Sequence, residues 1–147
     1  MPEELFPVFD LPEEYDDEID ESASLYPSPM FDFERGDFVR DEKNRIVYCD
    51  GKDAYRDWCL KTINTQHGAC LAYAELGIEG EEAAAESTRD AVETAFERTI
   101  TEALMAHPAT ERVTEFDFVW NGDSLHIGCT VETSNWAAFD IGLNVVV

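Results

Sequence analysis

Apolar and polar residues alternate most clearly in the last third of the chain. The first run has Phe116, Phe118 and Trp120 in one phase, and the second has Leu125, Ile127, Cys129 and Val131. Asn121-Gly122 separates the runs and is a favoured pair for a two-residue hairpin turn, because both residues accept positive φ. With this turn, Trp120 pairs with Asp123, Phe118 with Leu125 and Phe116 with Ile127. The apolar side chains of both predicted strands then lie on one face.

A third strand is predicted for WAAFDIGLNVVV, residues 136–147. Its apolar phase consists of Ala137, Phe139, Ile141, Leu143, Val145 and Val147. An uncovered apolar strand edge promotes aggregation, so something must cover this one. Another subunit can do so by adding a strand. The alternative is that the third strand lies in the centre of the sheet and is covered within the domain.

Two helices are predicted upstream of this sheet. The first spans residues 53–64 and has Ala54, Trp58, Cys59 and Ile63 on one face. The second spans residues 81–106, where apolar residues recur at steps of three and four. These are Ala84, Ala91, Val92, Ala95, Phe96, Ile100, Ala103 and Leu104. Pro108 stops the second helix. The many alanines of this helix favour close packing against a sheet.

A short β-hairpin is predicted before the first helix. Phe31, Phe33 and Phe38 lie in its first strand, and Ile46, Val47 and Tyr48 lie in its second, across the charged turn RDEKN. Residues 65–80 form a connector whose apolar run, residues 69–74, either touches the core or makes a short strand or turn. The fold class is therefore α+β, with an N-terminal hairpin, two helices and a C-terminal antiparallel sheet packed on the long helix.

The charge distribution divides the chain into an arm and a domain. Residues 1–28 contain ten acidic residues and no lysine or arginine. They also contain aromatic residues, among them Phe6, Phe9 and Tyr15, which a purely solvating tail would have less often. We expect an acidic, partly extended arm that orders on a partner, followed by one α+β domain over residues 29–147. A disordered leader that serves only solubility is the alternative.

Composition excludes several classes of function. The formal net charge of −23 repels nucleic acid and anionic membranes. No apolar run approaches the roughly 18 residues of a membrane span, and the acidic N-terminus is unlike a signal peptide. None of the four cysteines forms a C-x-x-C pair, so we expect reduced, buried cysteines. Nucleotide-binding and hydrolase motifs are absent from the sequence, and we expect no cofactor, no metal site and no catalytic residue.

The order of these elements resembles a family of phage-tail proteins. The segments that carry the likeness are FDFERGDFV, IVYCDG, KDAYRDWCLKTINT, the helix end ALMAHP, VTEFDF and SLHIGCTVET. Over roughly residues 27–134, the chain looks like the baseplate proteins of PBSX-type phages and related contractile bacteriocins. These proteins are similar to the wider sheath-initiator family of contractile phage baseplates, which also carries the description lysozyme-like.

The resemblance implies a structural subunit of the virion tail baseplate, or of an equivalent injection particle, assembled in the cytoplasm of the bacterial host. Its implied partners are baseplate wedge proteins, tail tube or hub proteins, and the tail sheath protein, which adds strands to the sheet. The implied role is to link wedge and tube to the first sheath ring and to template sheath assembly. Two other functions stay open, a lysozyme-like cell-wall hydrolase and an acidic inhibitor or binding module.

The wider family carries a Glu-Pro-Arg motif after its long helix. This chain has His107-Pro108-Ala109 there, so only the proline matches, and Glu111 and Arg112 lie just beyond it. Together with the aromatic residues of the arm and the strand-forming C-terminal residues, these positions make up the predicted interaction set. Its members are Phe6, Phe9, Tyr15, His107, Pro108, Glu111, Arg112, Asn144, Val145, Val146 and Val147.

Overall fold

The computed structural model describes residues 27–147 and confirms the predicted α+β class. The strands are Ser28–Pro29 (β1), Phe31–Asp32 (β2), Asp37–Phe38 (β3), Tyr48–Cys49 (β4), Thr110–Asn121 (β5), Ser124–Thr133 (β6) and Phe139–Val146 (β7). The helices are Gly51–Ile63 (α1), Gly80–Ala84 (α2) and Arg89–Met105 (α3). The connector between α1 and α2 contains a 3-10 turn at Leu71–Tyr73, whose Leu71 and Tyr73 side chains are exposed.

The N-terminal strands differ from the single predicted hairpin. The run FDFERGDFV folds back on itself, so that Phe31 of β2 pairs with Phe38 of β3. Asp32 makes this turn because its Oδ1 accepts hydrogen bonds from the N–H groups of Glu34 (2.9 Å) and Arg35 (3.1 Å). Gly36 completes the turn with a φ of 69°. The outer pair, β1 and β4, is also antiparallel.

One lysine attaches these short strands to α1. Lys61 Nζ lies 2.7 Å from Oδ2 of Asp57, which is buried one turn earlier on α1. The same ammonium group donates to Ser28 Oγ (3.2 Å) and to the Pro29 carbonyl oxygen (3.3 Å). The start of the described chain is thereby tied to the helix that packs beneath the C-terminal sheet.

The predicted long helix over residues 81–106 is interrupted. Helix α2 ends at Ala84, and α3 begins at Arg89 with Thr88 as its N-cap. Thr88 Oγ1 accepts a hydrogen bond from the Ala91 N–H at 3.2 Å, which satisfies one of the free donors of the first turn. The apolar spacing did not reveal this break, because alanines on both sides of it fit one continuous helix.

The sheet has the order β5-β6-β7 and is antiparallel throughout. The predicted register of the first hairpin is wrong by two residues, since the turn lies at Gly122-Asp123 and Gly122 has a φ of 63°. Trp120 therefore pairs with Leu125, and Phe118 with Ile127. The actual register places apolar residues opposite each other, whereas the predicted one placed an aspartate opposite Trp120. A shift of two keeps the predicted faces.

A β-bulge changes the face of β5 near its middle. The register shifts between Thr114 and Asp117, and Glu115 has a φ of 54°. Val113 and Phe116, three residues apart, both belong to the core or pack against it. The bulge therefore aligns the two halves of β5 with the same core, although the sequence alternation breaks between them.

The core lies between the helices and one face of the sheet, since α3 contacts β5 and α1 contacts β7. Its largest fully buried side chains include Tyr55 of α1, Phe96, Ile100 and Leu104 of α3, and Leu125, Ile127 and Val131 of β6. The opposite phase of each strand makes up the open face of the sheet, on the side away from this core. The strand order places β7 at one edge of the sheet, so its backbone groups on one side face no neighbouring strand of this sheet.

Candidate interaction surface

Strand β7 has a regular edge that points away from β6. Val147 N–H donates to the Asp123 carbonyl oxygen at 2.8 Å, so Val147 directs its backbone N–H toward the β6 side. Because hydrogen-bonded positions alternate in an antiparallel pair, every second residue of β7 directs its N–H and C=O outward. These residues are Asp140, Gly142, Asn144 and Val146. Within residues 27–147, no hydrogen bond to their backbone groups occupies this β7 edge.

The two sheet edges differ in regularity. All eight residues from Phe139 to Val146 pair with β6 without a register shift. Strand β5, at the opposite edge, has two shifts and the positive-φ residue Glu115. Bulges disturb the spacing that an added strand needs, and they commonly protect an edge from such pairing. The β7 edge is therefore the better template for another strand.

A cleft of about 480 Å³ follows the β7 edge. Its lining includes Arg56 and Leu60 from α1, and Asp140, Ile141 and Gly142 from β7. The helix α1 thus borders the space beside the edge on the core side of the sheet. A strand placed there would find apolar contacts with Leu60 on one face and polar groups on the other.

The open face carries a trough next to this edge. Gly128 of β6 pairs with Gly142 of β7, so two adjacent positions lack side chains. One wall of this glycine trough is His126, whose Nδ1 lies 2.7 Å from Asn144 Oδ1. The other wall is Thr130, whose hydroxyl lies 2.6 Å from Asp140 Oδ1 and 3.2 Å from Glu115 Oε2. The trough was missed in the sequence, although IGC and IGL each show a glycine in the polar phase of a strand.

The exposed valines concentrate at the turn end of the sheet. Val146 of β7 is 78% exposed, and Val119 of β5, on the same open face but across β6, is 52% exposed. Val145 belongs to the other phase and packs against the core. Among the predicted C-terminal residues, Val145 therefore faces the core, whereas Asn144 and Val146 face the open side of the sheet.

The predicted residues around Pro108 lie at the other end of the sheet. Arg112 pairs with Glu132 at the end of β6, whereas Val146 pairs with Ser124 at its start. Eight residues of strand separate these rows, which corresponds to about 27 Å. The structure therefore separates the two predicted groups, while Phe6, Phe9 and Tyr15 lie outside the described residues.

The side chains of this second group have different environments. Arg112 forms an ion pair with Glu132, with Nη2 at 2.6 Å and Nε at 2.9 Å from the same carboxylate oxygen. Pro108 and Glu111 are exposed. His107 is half-buried, and its ring centroid lies 4.9 Å from that of Tyr55 and 4.7 Å from that of Trp58. At this end of the sheet, Pro108, Glu111 and Arg112 are therefore more accessible than His107.

His107 is expected to make stability depend on pH. Its Nδ1 accepts a hydrogen bond from the Ala109 N–H at 3.0 Å, and burial lowers the pKa of the imidazole. Protonation removes this acceptor. Because the unfolded chain then binds the proton more readily than the folded chain, His107 stabilises the fold above its ordinary pKa of about 6.5. That contribution is lost as the pH falls through the lowered pKa.

The measurement compares urea unfolding of the wild type and of His107→Asn between pH 7 and pH 5. Asparagine retains an acceptor oxygen but does not titrate. Because the two proteins share every other titratable group, the difference between their stabilities reports on His107. We expect the stability advantage of the wild type to shrink as the pH falls. An advantage that stays constant across this range would contradict a neutral His107 in the folded state.

Two buried cysteines, Cys59 and Cys129, are poorly suited to act as nucleophiles. Burial raises the pKa of Cys59 to about 12 and that of Cys129 to about 11, so both thiols are protonated at neutral pH. In the part of the chain that the structure describes, no group of three or more histidine, cysteine, aspartate or glutamate residues is placed to hold a metal ion.

The described residues form an α+β fold with a regular strand edge at β7, to which a further strand can pair. The family model of the contractile injection system sheath initiator matches residues 28–135. The chain therefore belongs to the contractile injection system sheath initiator family, which confirms the resemblance seen in the sequence. No curated protein matches the chain. The matched region ends just after β6, so β7 lies beyond it.

Membership of this family identifies the chain as a structural component of a contractile injection system. Its role is to initiate sheath assembly at the baseplate, where it interacts with sheath and baseplate components. None of the helices within residues 27–147 is long and apolar enough to cross a membrane.

Proposed function

We propose that this chain is a non-catalytic subunit that links the baseplate wedge and tube to the first ring of sheath, and that its β7 edge templates the sheath. A sheath subunit adds a strand beside β7. The observation that carries this proposal is the regular edge formed by Asp140, Gly142, Asn144 and Val146, whose outward backbone groups have no partner among the described residues.

Strand addition suits the energetics of this edge. Each new backbone hydrogen bond contributes a net stabilisation of about 0.5–1.5 kcal/mol. Val146 adds apolar area that leaves water when a strand covers it. The main-chain bonds supply affinity, and alternate side chains supply specificity. Covering this edge also removes the aggregation hazard that a free apolar strand presents.

The other predicted residues serve the baseplate side in this proposal. The end of the sheet with Pro108, Glu111 and Arg112 contacts a wedge subunit. This end lies about 27 Å from the turn end of the sheet, where Val146 lies, so the wedge and the sheath can bind at the same time. The acidic arm, residues 1–28, docks onto neighbouring wedge, tube or hub proteins through Phe6, Phe9 and Tyr15. The protein is then part of the tail baseplate or of an equivalent injection particle.

Replacing Asn144 with proline is expected to prevent sheath assembly while leaving the domain folded. The N–H of Asn144 points away from β6, so proline removes an outward donor without breaking the β6–β7 ladder. Tails assembled with this variant are examined by electron microscopy, and we expect tubes without sheath. Circular dichroism and thermal unfolding of the purified variant check that the domain is intact.

The matched control is Asn144→Ala, which also loses the hydrogen bond to His126 but keeps the backbone N–H. We expect this control to support sheathed tails. Normal sheath on the proline variant would disprove strand addition at β7.

The triple substitution Phe6→Ser, Phe9→Ser and Tyr15→Ser tests the arm in the same assay. We expect it to impair tail assembly, and normal tails would show that these aromatic residues are not needed for docking.

A further inference from the structure

The open face beside the β7 edge has a composition that a covering strand must match. Asp117, Gly128 and Gly142 form one row across the three strands, because Gly128 pairs with both of the others. The next row contains Thr130 opposite Asp140. A strand added to β7 would extend both rows by one position, about 4.8 Å beyond the edge. The residue opposite Gly142 would therefore stand at the mouth of the glycine trough.

The two glycines are not required by the backbone. Neither has a positive φ, and a Cβ built on Gly128 would approach no atom closer than Asp117 Cβ at 3.9 Å. A Cβ on Gly142 would lie 3.1 Å from His126 Cε1, the far end of an exposed side chain. Glycine weakens a strand interior, and it often marks a place where another group approaches closely. The glycines thus keep open a space that a larger side chain can enter.

Three carboxylates lie around this space, beside the walls formed by His126 and Thr130. Asp117, Asp140 and Glu115 line the cleft, and Arg56 is the basic side chain in the same lining. Thr130 has a single hydroxyl proton, although its oxygen lies within hydrogen-bonding distance of both Glu115 and Asp140. One of these carboxylates therefore lacks a donor from Thr130. One arginine against three carboxylates leaves a net negative field at the trough.

From this face we infer that the sheath strand carries an arginine or a lysine opposite Gly142, whose side chain lies in the glycine trough beside Asp140. The inference rests on the proposed strand addition at β7 and specifies the chemistry of the partner. The stem of a long basic side chain lies over Gly142, where no side chain obstructs it. Its charged end meets the carboxylate of Asp140 one row away and approaches Asp117 across Gly128.

The rest of the strand follows from the same geometry. Its side chains on the core side lie over α1 near Leu60, so they are apolar. Those on the open side lie beside Asp140, Gly142, Asn144 and Val146, so they are polar except opposite the valine. The expected segment alternates apolar and polar residues and has one basic residue near the middle of its polar phase.

Peptide binding to the full-length protein tests this inference. The probes are three fluorescently labelled ten-residue peptides of alternating valine and threonine, flanked by Gly-Ser, that differ only at a central guest position. The guest is Arg, Met or Glu, and fluorescence anisotropy gives each Kd at low and high salt. We expect the arginine peptide to bind about tenfold more tightly than the methionine peptide. The glutamate peptide should be the weakest.

Protein variants locate the effect. Asp140→Asn combined with Asp117→Asn should remove the preference for arginine but retain methionine-peptide binding, and Gly142→Val should exclude the long guest side chain. Addition of salt should reduce the preference. Asn144→Pro, tested with all three peptides, should weaken each of them because it blocks the β7 edge.

The outcomes separate the inference from the proposed function. Equal affinity for the three peptides, with loss of binding in Asn144→Pro, would overturn the basic residue but leave strand addition intact. An arginine preference that survives removal of both carboxylates would also overturn the inference. Absence of binding by every peptide, or binding unaffected by Asn144→Pro, would count against strand addition at β7 and therefore against both proposals.

Discussion

Replacement of Tyr55 by alanine is expected to lower the free energy of unfolding by about 3–5 kcal/mol. Tyr55 is fully buried in α1 and contacts an aromatic cluster contributed by several elements. Its ring centroid lies 5.7 Å from that of Trp136 and 5.8 Å from that of Phe139, the first residue of β7. Its hydroxyl forms a hydrogen bond with Thr110 Oγ1 in β5. The substitution therefore removes contacts to both edge strands at once.

Tyr55→Phe is the matched control for the cavity that Tyr55→Ala would leave in the core. It keeps the ring contacts but leaves Thr110 without its partner, which costs about 1–3 kcal/mol. Urea unfolding followed by circular dichroism measures both variants. If alanine cost no more than phenylalanine, the ring would contribute nothing to packing, contrary to its position in the core. The alanine variant should also weaken sheath assembly, because Tyr55 supports the start of β7.

Gly77→Ala is expected to cost about 3–5 kcal/mol, the second large effect. Gly77 has a φ of 111°, and a Cβ there would lie 2.4 Å from the Thr65 carbonyl oxygen. The same carbonyl accepts a hydrogen bond from the Ile78 N–H at 2.9 Å. The end of α1 and the residues before α2 are thus in direct backbone contact. An alanine would force the two segments apart.

Gly68→Ala is the control for backbone conformation alone. Gly68 also has a positive φ, 78°, but a Cβ there would meet nothing within 4 Å. This variant should lose only about 1 kcal/mol, the cost of a non-glycine residue in the left-handed region. Similar losses for both variants in thermal and urea unfolding would show that the close approach at Gly77 is not the dominant effect.

The faces of the secondary structure could be predicted from the sequence. The alternation in residues 139–145 placed Ile141 and Leu143 in the core, and both are buried. The helical spacing likewise identified Phe96, Ile100 and Leu104 as the core face of α3. These predictions succeeded because the periods of a strand and a helix are fixed by local geometry, whatever the partner.

The sequence alone did not determine how the elements meet. Asn121-Gly122 suggested one hairpin register, but the pairing of Trp120 with Leu125 moved the turn by one residue and the register by two. Tyr55 was not recognised as the residue that joins α1 to both edge strands. Register and core membership depend on contacts between distant segments, which local propensity does not contain.

The interaction surface shows the same division. The sequence by itself determined the family resemblance, the acidic charge and the strand-forming C-terminal residues. Only the tertiary structure decided that β7 is an edge strand, that its outward groups include those of Asn144, and that Gly128 and Gly142 are adjacent. Each glycine is unremarkable in its own strand, and the trough exists only because antiparallel pairing brings the two into one row across the sheet.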